Sequence, residues 1–404
     1  MRLQTTILTC FILFYSLAYS QEVSINQDYM NGVYAFEKAN YKQAAEYITL
    51  ALNTENSKPD WLMKRGEANY QAGNYQQAII DFLTADSIMP DIACYSLARC
   101  YAQLGDKPKA FKYLEKNLQS KFRLPKNQIK LDKAFASIEP SIEWKRLWDT
   151  DWHSRFEMQL SDAAYALKCK NLSEAFDILD KTLDQNDKRH EAYFLRAQTH
   201  LAQNDNRSAL GDLNNAIEIK PNQIEYIKLR ALVHTNLKHY NKALDDYNTV
   251  LSISPYELSL YFQRAVIEEK LSLYEQATND IKTYLAYYTD NIEAHYEYGI
   301  INYQTGEYLS ALRSFNTVLL HDKTQAKYFI ARANTYLATN TYQSAINDYT
   351  MALDINARDK EAYYNRGVAK FALGDKNGSC SDWKQAYRLG FLPADLMLRK
   401  YCSE

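Results

Sequence analysis

The chain has 404 residues, 47% of them apolar, with 47 basic against 49 acidic side chains and a formal net charge of −2. A balance so close to neutral excludes the basic footprint of a nucleic-acid binder. With only 11 glycines and 8 prolines, the composition favours helices joined by short turns over a turn-rich β-fold.

The first element is a processing signal. Arg2 supplies a positive start, Ile7 to Leu17 form an apolar run, and Ala18-Tyr19-Ser20 place small residues at −3 and −1 before Gln21. This predicts a secretory signal peptide over 1–20, cut after Ser20. The run is too short to favour a membrane span. The mature chain is therefore expected to lack a transmembrane segment and to be exported, periplasmic or extracellular. Cys10 lies inside the apolar run, followed by Phe11-Ile12-Leu13-Phe14, and makes a poor lipoprotein cysteine.

Beyond residue 20 the chain repeats. Ala175, Ala209, Ala243, Ala277, Ala311, Ala345 and Ser379 stand 34 residues apart, and Ala44, Ala78 and Ala110 continue the phase upstream. A small residue returning at that period marks a repeat array. Within Glu191 to Asn222, Tyr193, Arg196, Ala197 and His200 share one helical face. The polar turn Asn204-Asp205-Asn206 follows, and Ala209, Leu213, Ala216 and Ile217 form a second face that Pro221 ends. Two such helices cannot bury their apolar faces alone, so the pairs must stack.

The phase predicts about ten units: three in 21–120, seven in 156–389, and a capping helix in 390–404. Residues 121–155 diverge, with Pro125, Pro140 and a stripe of Trp144, Trp148 and Trp152 at i, i+4 and i+8. The stripe reads either as packing that joins the two blocks or as an aromatic docking surface.

These marks resemble the tetratricopeptide repeat over nearly all of residues 25–389. In that family's phase, small residues sit where the two helices cross: Gly32, Gly66, Ala98, Ala163, Ala197, Ala231, Ala265, Gly299, Ala333 and Gly367 here. A tyrosine before the second helix recurs as Tyr41, Tyr75, Tyr240, Tyr274, Tyr308 and Tyr342, and Pro90, Pro221 and Pro255 close units. The units near 94–117 and 159–185 lack the tyrosine and the closing proline. The resemblance implies an all-α fold, a right-handed α-α superhelix (solenoid) of about ten tetratricopeptide-type helical hairpins with a C-terminal capping helix.

Two charged positions change together along the chain. Arg65, Arg196, Arg230, Arg264, Arg332 and Arg366 precede the small residue of the first helix, and the same six units carry Asp81, Asp212, Asp246, Asp280, Asp348 and Asp382 on the second. The four units without the arginine also lack the aspartate. Antiparallel packing puts the two positions at one height, which predicts structural ion pairs in a bidentate fork. The alternative is a row of groove arginines for acidic ligands.

Cys380 and Cys402 each stand eleven residues from Phe391, so a helical hairpin would level them; a Cys380–Cys402 disulfide is the expected staple of the cap. Gly378-Ser-Cys-Ser-Asp-Trp383 resembles C-terminal units of exported bacterial repeat proteins. Cys94, Cys100 and Cys169 are expected as small buried apolar residues. His200 and His234 share one repeat position and would stack in adjacent units, as core histidines rather than metal ligands. No metal motif, nucleophile elbow, Walker loop or dinucleotide fingerprint occurs in the sequence. The reading is accordingly non-enzymatic, with no cofactor and no metal.

The family resemblance implies a concave surface lined by first helices. Its groove-facing phase falls on Tyr29, Phe36, Tyr70 and Tyr95 in the first block. In the second it falls on Phe194, Lys228, Phe262, Tyr296, Tyr303, Tyr364 and Phe371. Only Lys228, Lys327 and Asn334 match the set with which family members hold a C-terminal carboxylate, so that mode is not expected. The groove is aromatic, with an acidic edge of Glu191, Glu225, Glu293 and Glu361, which suits a partner segment of apolar or basic character. The expectation is an envelope scaffold or assembly factor that binds a protein or peptide. The alternatives are an accessory or regulatory subunit of an envelope enzyme complex, and an enzyme with a site in 121–155.

Overall fold

The computed structural model describes residues 26–55 and 58–402. The expected leader over 1–20, its cleavage point and Cys10 lie outside the described residues. Every regular element among the described residues is helical. Three hairpins open the chain: α1 (Gln27–Glu37) with α2 (Tyr41–Thr54), α3 (Pro59–Gln71) with α4 (Tyr75–Ile88), and α5 (Cys94–Gln103) with α6 (Lys107–Gln119). The divergent stretch holds α7 (Lys126–Lys130), a 3-10 turn (Lys133–Phe135) and α8 (Ile142–Leu147).

Hairpins then resume. The pairs are α9 (Arg155–Lys168) with α10 (Leu172–Gln185), α11 (His190–Ala202) with α12 (Asn206–Ile219), and α13 (Ile224–Asn236) with α14 (Tyr240–Ile253). Next come α15 (Leu258–Lys270) with α16 (Tyr274–Leu285), α17 (Ile292–Gln304) with α18 (Tyr308–His321), and α19 (Ala326–Ala338) with α20 (Tyr342–Ile355). The last pair is α21 (Lys360–Ala372) with α22 (Lys376–Arg388), and α23 (Pro393–Tyr401) covers the end. The chain divides into two compact units, Met1–Glu257 and Leu258–Glu404. The fold is all-α: among the described residues unit 1 holds six hairpins and the divergent stretch, and unit 2 holds four hairpins and the cap.

The hairpin is set by a few recurring residues. On α12, Ala209, Asp212, Leu213 and Ala216 are buried, one stripe at i, i+3, i+4 and i+7. The small residue of the first helix faces a larger one sixteen positions on. A Cβ added at Gly66 would strike Phe82, at Gly299 Phe315, and at Gly367 Trp383. Each hairpin turn carries one left-handed residue. These are Ala39, Gly73, Gly105, Lys170, Asn204, Lys238, Ser272, Gly306, Asn340 and Gly374, with φ from 56 to 85°. That backbone slot recurs in all ten hairpins although only four hold glycine.

The divergent stretch packs as core on α5 and α6: Ile129, Phe135, Ile138, Trp144 and Leu147 share a cluster with Ala98, Phe111, Leu114 and Leu118. The tryptophans do not form one helical face. α8 ends at Leu147, Trp148 is its C-cap, and Trp152 lies past it, its indole Nε1 donating to the Leu147 carbonyl at 2.6 Å. That bond satisfies one of the carbonyls a helix end leaves open. Trp144 is 5% exposed, its ring 5.7 Å from Trp148 and 5.8 Å from Phe135.

Cys380 and Cys402 are bonded, with Cα atoms 5.7 Å apart. Cys94 and Cys100 are buried, and burial pushes their thiols up to about 11 and about 12. Cys169 departs from expectation: it is exposed, because it caps the C-terminus of α9 at the hairpin turn and not on a packed face.

Candidate functional site

All six arginines lie against their aspartates. Arg196, Arg230, Arg264, Arg332 and Arg366 each donate Nε and Nη2 to the two carboxylate oxygens of Asp212, Asp246, Asp280, Asp348 and Asp382, at 2.6 to 2.9 Å. Arg65 places Nε and Nη2 on one oxygen of Asp81, at 3.1 and 2.6 Å. The aspartates are buried. The guanidinium therefore serves inside the hairpin and is not presented to a ligand.

A third partner escaped the sequence reading. Nη1 reaches back to the second helix of the preceding hairpin: Arg65 to Thr49, Arg196 to Asp180, Arg230 to Asn214, Arg332 to Asn316 and Arg366 to Thr350. Each acceptor lies sixteen residues before its arginine. The spacing was readable, but the residue types share only an oxygen acceptor.

In unit 2 the first helices of successive hairpins (α15, α17, α19, α21) pack on one another more closely than the second helices do. The first-helix face is therefore the inner face of the curve. It carries Phe262, Tyr296, Tyr303, Tyr364 and Phe371, all half-buried. Tyr364 packs on Phe391 at 4.9 Å and Phe371 on Tyr401 at 4.5 Å, so the capping segment covers both. Phe262 stacks on Tyr284 at 5.2 Å. Tyr296 leans on Tyr328 at 5.3 Å, with the Lys327 ammonium 5.0 Å from its ring. Tyr303 lies 6.0 Å from Tyr308.

Acidic groups flank these rings. Glu293 pairs with Lys327 at 3.1 Å and accepts the Tyr328 hydroxyl at 2.9 Å. Glu297 buries a carboxylate oxygen without a hydrogen-bond partner. Burial raises its pKa, Lys270 opposes that rise, and Glu269 reinforces it. Around Phe262, Tyr296 and Tyr303 the face can hold an apolar side chain beside a cation.

In unit 1 the chain covers much of its own inner face. Tyr29 is 7% exposed, beneath Tyr256 and against Trp61. Lys64 lies 4.0 Å over the Phe36 ring, and Arg99 4.1 Å over Tyr70 while pairing with Glu67 and Asp132. Tyr95 donates to Asp132 of the divergent stretch at 2.6 Å, and burial followed by that bond raises its pKa strongly. Phe194 packs on Tyr226 at 4.5 Å, and Lys228 pairs with Glu257 at 3.0 Å. A cavity of about 540 Å3 opens between the divergent stretch and α9, lined by Arg123, Lys126, Phe156, Met158, Leu160 and Glu191 among others.

The histidines have separate partners. His200 lies 3.6 Å from Asp212 and 4.7 Å from Phe176; His234 faces His239 at 3.4 Å. Asp86, Asp91 and Cys94 converge, but Lys116 binds both carboxylates at 3.1 Å. That group is an ion-pair node. None of the described helices is long and apolar enough to cross a membrane.

Family models match three stretches. Two are tetratricopeptide repeat models, over residues 29–91 and 91–121, and the third describes the anaphase-promoting complex, cyclosome, subunit 3, over 168–249. The chain belongs to the tetratricopeptide repeat family. No curated protein matches it.

Among solved structures, a tetratricopeptide repeat protein from Parabacteroides merdae is 20% identical. It covers 61% of this chain and 99% of its own, with a TM-score of 0.46. The C-terminal part of a tetratricopeptide repeat-containing protein from Cytophaga hutchinsonii is 18% identical, covering 57% and 95%, with a TM-score of 0.47. YrrB, described as a tetratricopeptide protein with an unusual peptide-binding site, is 20% identical, covering 46% and 95%, with a TM-score of 0.40. Tetratricopeptide proteins generally mediate protein–protein interaction, and their fold is typically a non-catalytic scaffold.

Proposed function

We propose that this tetratricopeptide protein is a non-enzymatic interaction scaffold or assembly factor of the cell envelope. It holds a partner peptide or helix on the inner face of unit 2, around Phe262, Tyr296 and Tyr303. The observation that carries this reading is the union of half-exposed rings with the unpaired, buried carboxylate oxygen of Glu297. A partner segment bearing an arginine or lysine beside an apolar residue would cover the rings and set its cation against the acidic groups around them, Glu293 and Glu297. The signal peptide expected over 1–20 supports export.

The test is affinity capture from an envelope fraction with wild-type protein and with the Tyr296→Ala/Tyr303→Ala double variant. The reading expects defined partners with the wild type and their loss in the variant at unchanged helicity. Equal capture by the folded double variant removes these rings from the site.

A further inference from the structure

Hairpins of a solenoid touch only their neighbours. A contact within unit 1 departs from that rule. Tyr256, in the turn after α14, reaches the start of the array, and its hydroxyl accepts the Asn26 amide at 3.4 Å across 230 positions of sequence. Its ring stands edge-on to Tyr29, at 4.7 Å and 80°, and to Trp61, at 5.8 Å and 83°. Tyr29 and Trp61 themselves stack at 4.3 Å and 13°.

The receiving surface is built rather than incidental. Tyr29 comes from α1 and Trp61 from α3, and the two rings form one wall over Val33, Ile48, Leu52 and Leu62. Trp61 is 3% exposed, and the Lys58 ammonium lies 5.1 Å from its ring. Edge-to-face contact is selective for an aromatic ring, and the Asn26 amide is selective for one that bears a hydroxyl. Proline at 255, itself buried, fixes φ just before the tyrosine and so presents it.

We propose that the Tyr29–Trp61 cradle is a recognition site for a prolyl-tyrosine turn, filled in cis by Pro255–Tyr256, and that this contact latches unit 1 closed. Tyr256 joins the two ends of six hairpins and the divergent stretch, so its release loosens that junction. The cradle then stands free for another prolyl-tyrosine segment. This inference is independent of the partner face of unit 2.

The test uses the full chain and its Tyr256→Ala variant. The latch predicts a larger radius of gyration by small-angle scattering for the variant. It also predicts stronger acrylamide quenching of Trp61 emission, isolated by difference against Trp61→Phe. A labelled peptide spanning Ile253–Glu257 should bind the variant at least tenfold more tightly than the wild type, whose cradle is occupied.

The same radius, the same quenching and no peptide binding would overturn the proposal. So would a wild type that dimerises with rising concentration while the variant does not, since the contact would then belong to exchange between copies. If Tyr256→Ala loses helicity, Tyr256→Phe decides: it keeps the ring and removes the hydroxyl. Greater Trp61 quenching in Tyr256→Phe upholds the latch, and unchanged quenching rejects it.

Discussion

Arg332 grips Asp348 through two parallel hydrogen bonds, Nε to Oδ2 at 2.7 Å and Nη2 to Oδ1 at 2.8 Å, while Nη1 reaches Asn316 at 2.7 Å. One guanidinium thus ties three helices, two of its own hairpin and one of the hairpin before. The Asp348 side chain is only 8% exposed, so truncating Arg332 strands a nearly buried carboxylate. Arg332→Ala is expected to cost about 3 kcal/mol. Arg332→Ala with Asp348→Ala should recover part of that loss, because the stranded charge goes with it. Urea unfolding of the two single variants and the double variant measures the coupling, and strict additivity would show that the fork contributes nothing of its own.

That fork was legible because both partners are charged and both change in the same four units. Asn316 was not, since Thr49, Asp180, Asn214 and Thr350 fill the same place in other units and share only an acceptor oxygen. The inner aromatic positions were legible as positions, from the helical period. Their state was not. Tyr95 meets Asp132 from a segment without periodicity, and Tyr364 and Phe371 meet a cap whose docking follows no repeat. The contact of Tyr256 with Tyr29 depends on rotations summed over the intervening hairpins, which no local pattern encodes. The tryptophan stripe was legible as packing but not as a helix: Trp148 and Trp152 pack on the cluster that holds Trp144, yet Trp152 turns back to cap the helix that periodicity would have continued.

Glu268 marks one hairpin as sensitive to pH. Four positions after the arginine, Asn69, His200 and Lys370 offer nitrogens to the aspartate in their units, at 3.0, 3.6 and 2.8 Å. In α15 this place holds Glu268, 4% exposed, with one oxygen unpaired. Burial first, then Asp280, raise its pKa from 4.5 to about 7, against the pull of Arg264. The folded chain therefore holds a proton that the unfolded chain releases, so stability falls as pH rises between 4.5 and about 7 and stays reduced above. From 4.5 to about 7 the loss is bounded at about 3 kcal/mol. Glu268→Gln should flatten this part of the profile and stabilise the protein at pH 8, as thermal melts from pH 5 to 8 will show. A profile identical to wild type would mean that Glu268 does not titrate in this window.

The cap is held by one covalent bond and three ring contacts. Tyr401 lies 4.5 Å from Phe371 and 6.2 Å from Trp383, and Phe391 lies 4.9 Å from Tyr364. The Cys380–Cys402 bond closes a 22-residue separation, for which chain entropy predicts about 3 kcal/mol. Reduction, or Cys402→Ser, should raise amide exchange in α23 and at the end of α22 while the hairpins from α15 to α20 keep their protection, since each repeat leans only on its neighbours. Loss of protection spreading evenly through unit 2 would instead show that the unit unfolds as one body.

The left-handed turn slot offers a stabilising change that touches no packing. Lys238 joins α13 to α14 with φ at 59°, and its side chain is exposed. An L-residue there pays for its Cβ by about 1 kcal/mol relative to glycine, and Gly73, Gly105, Gly306 and Gly374 already occupy the equivalent place in other hairpins. Lys238→Gly should therefore raise stability by about 1 kcal/mol, less the extra freedom glycine gives the unfolded chain. Lys242→Gly, in the first turn of α14, should lower it, because that position is helical and glycine has a low helix propensity. Opposite signs at two lysines four residues apart, read from midpoints of chemical unfolding, would separate the backbone effect from the shared loss of a positive charge; a loss of stability in both would refute the strain at Lys238.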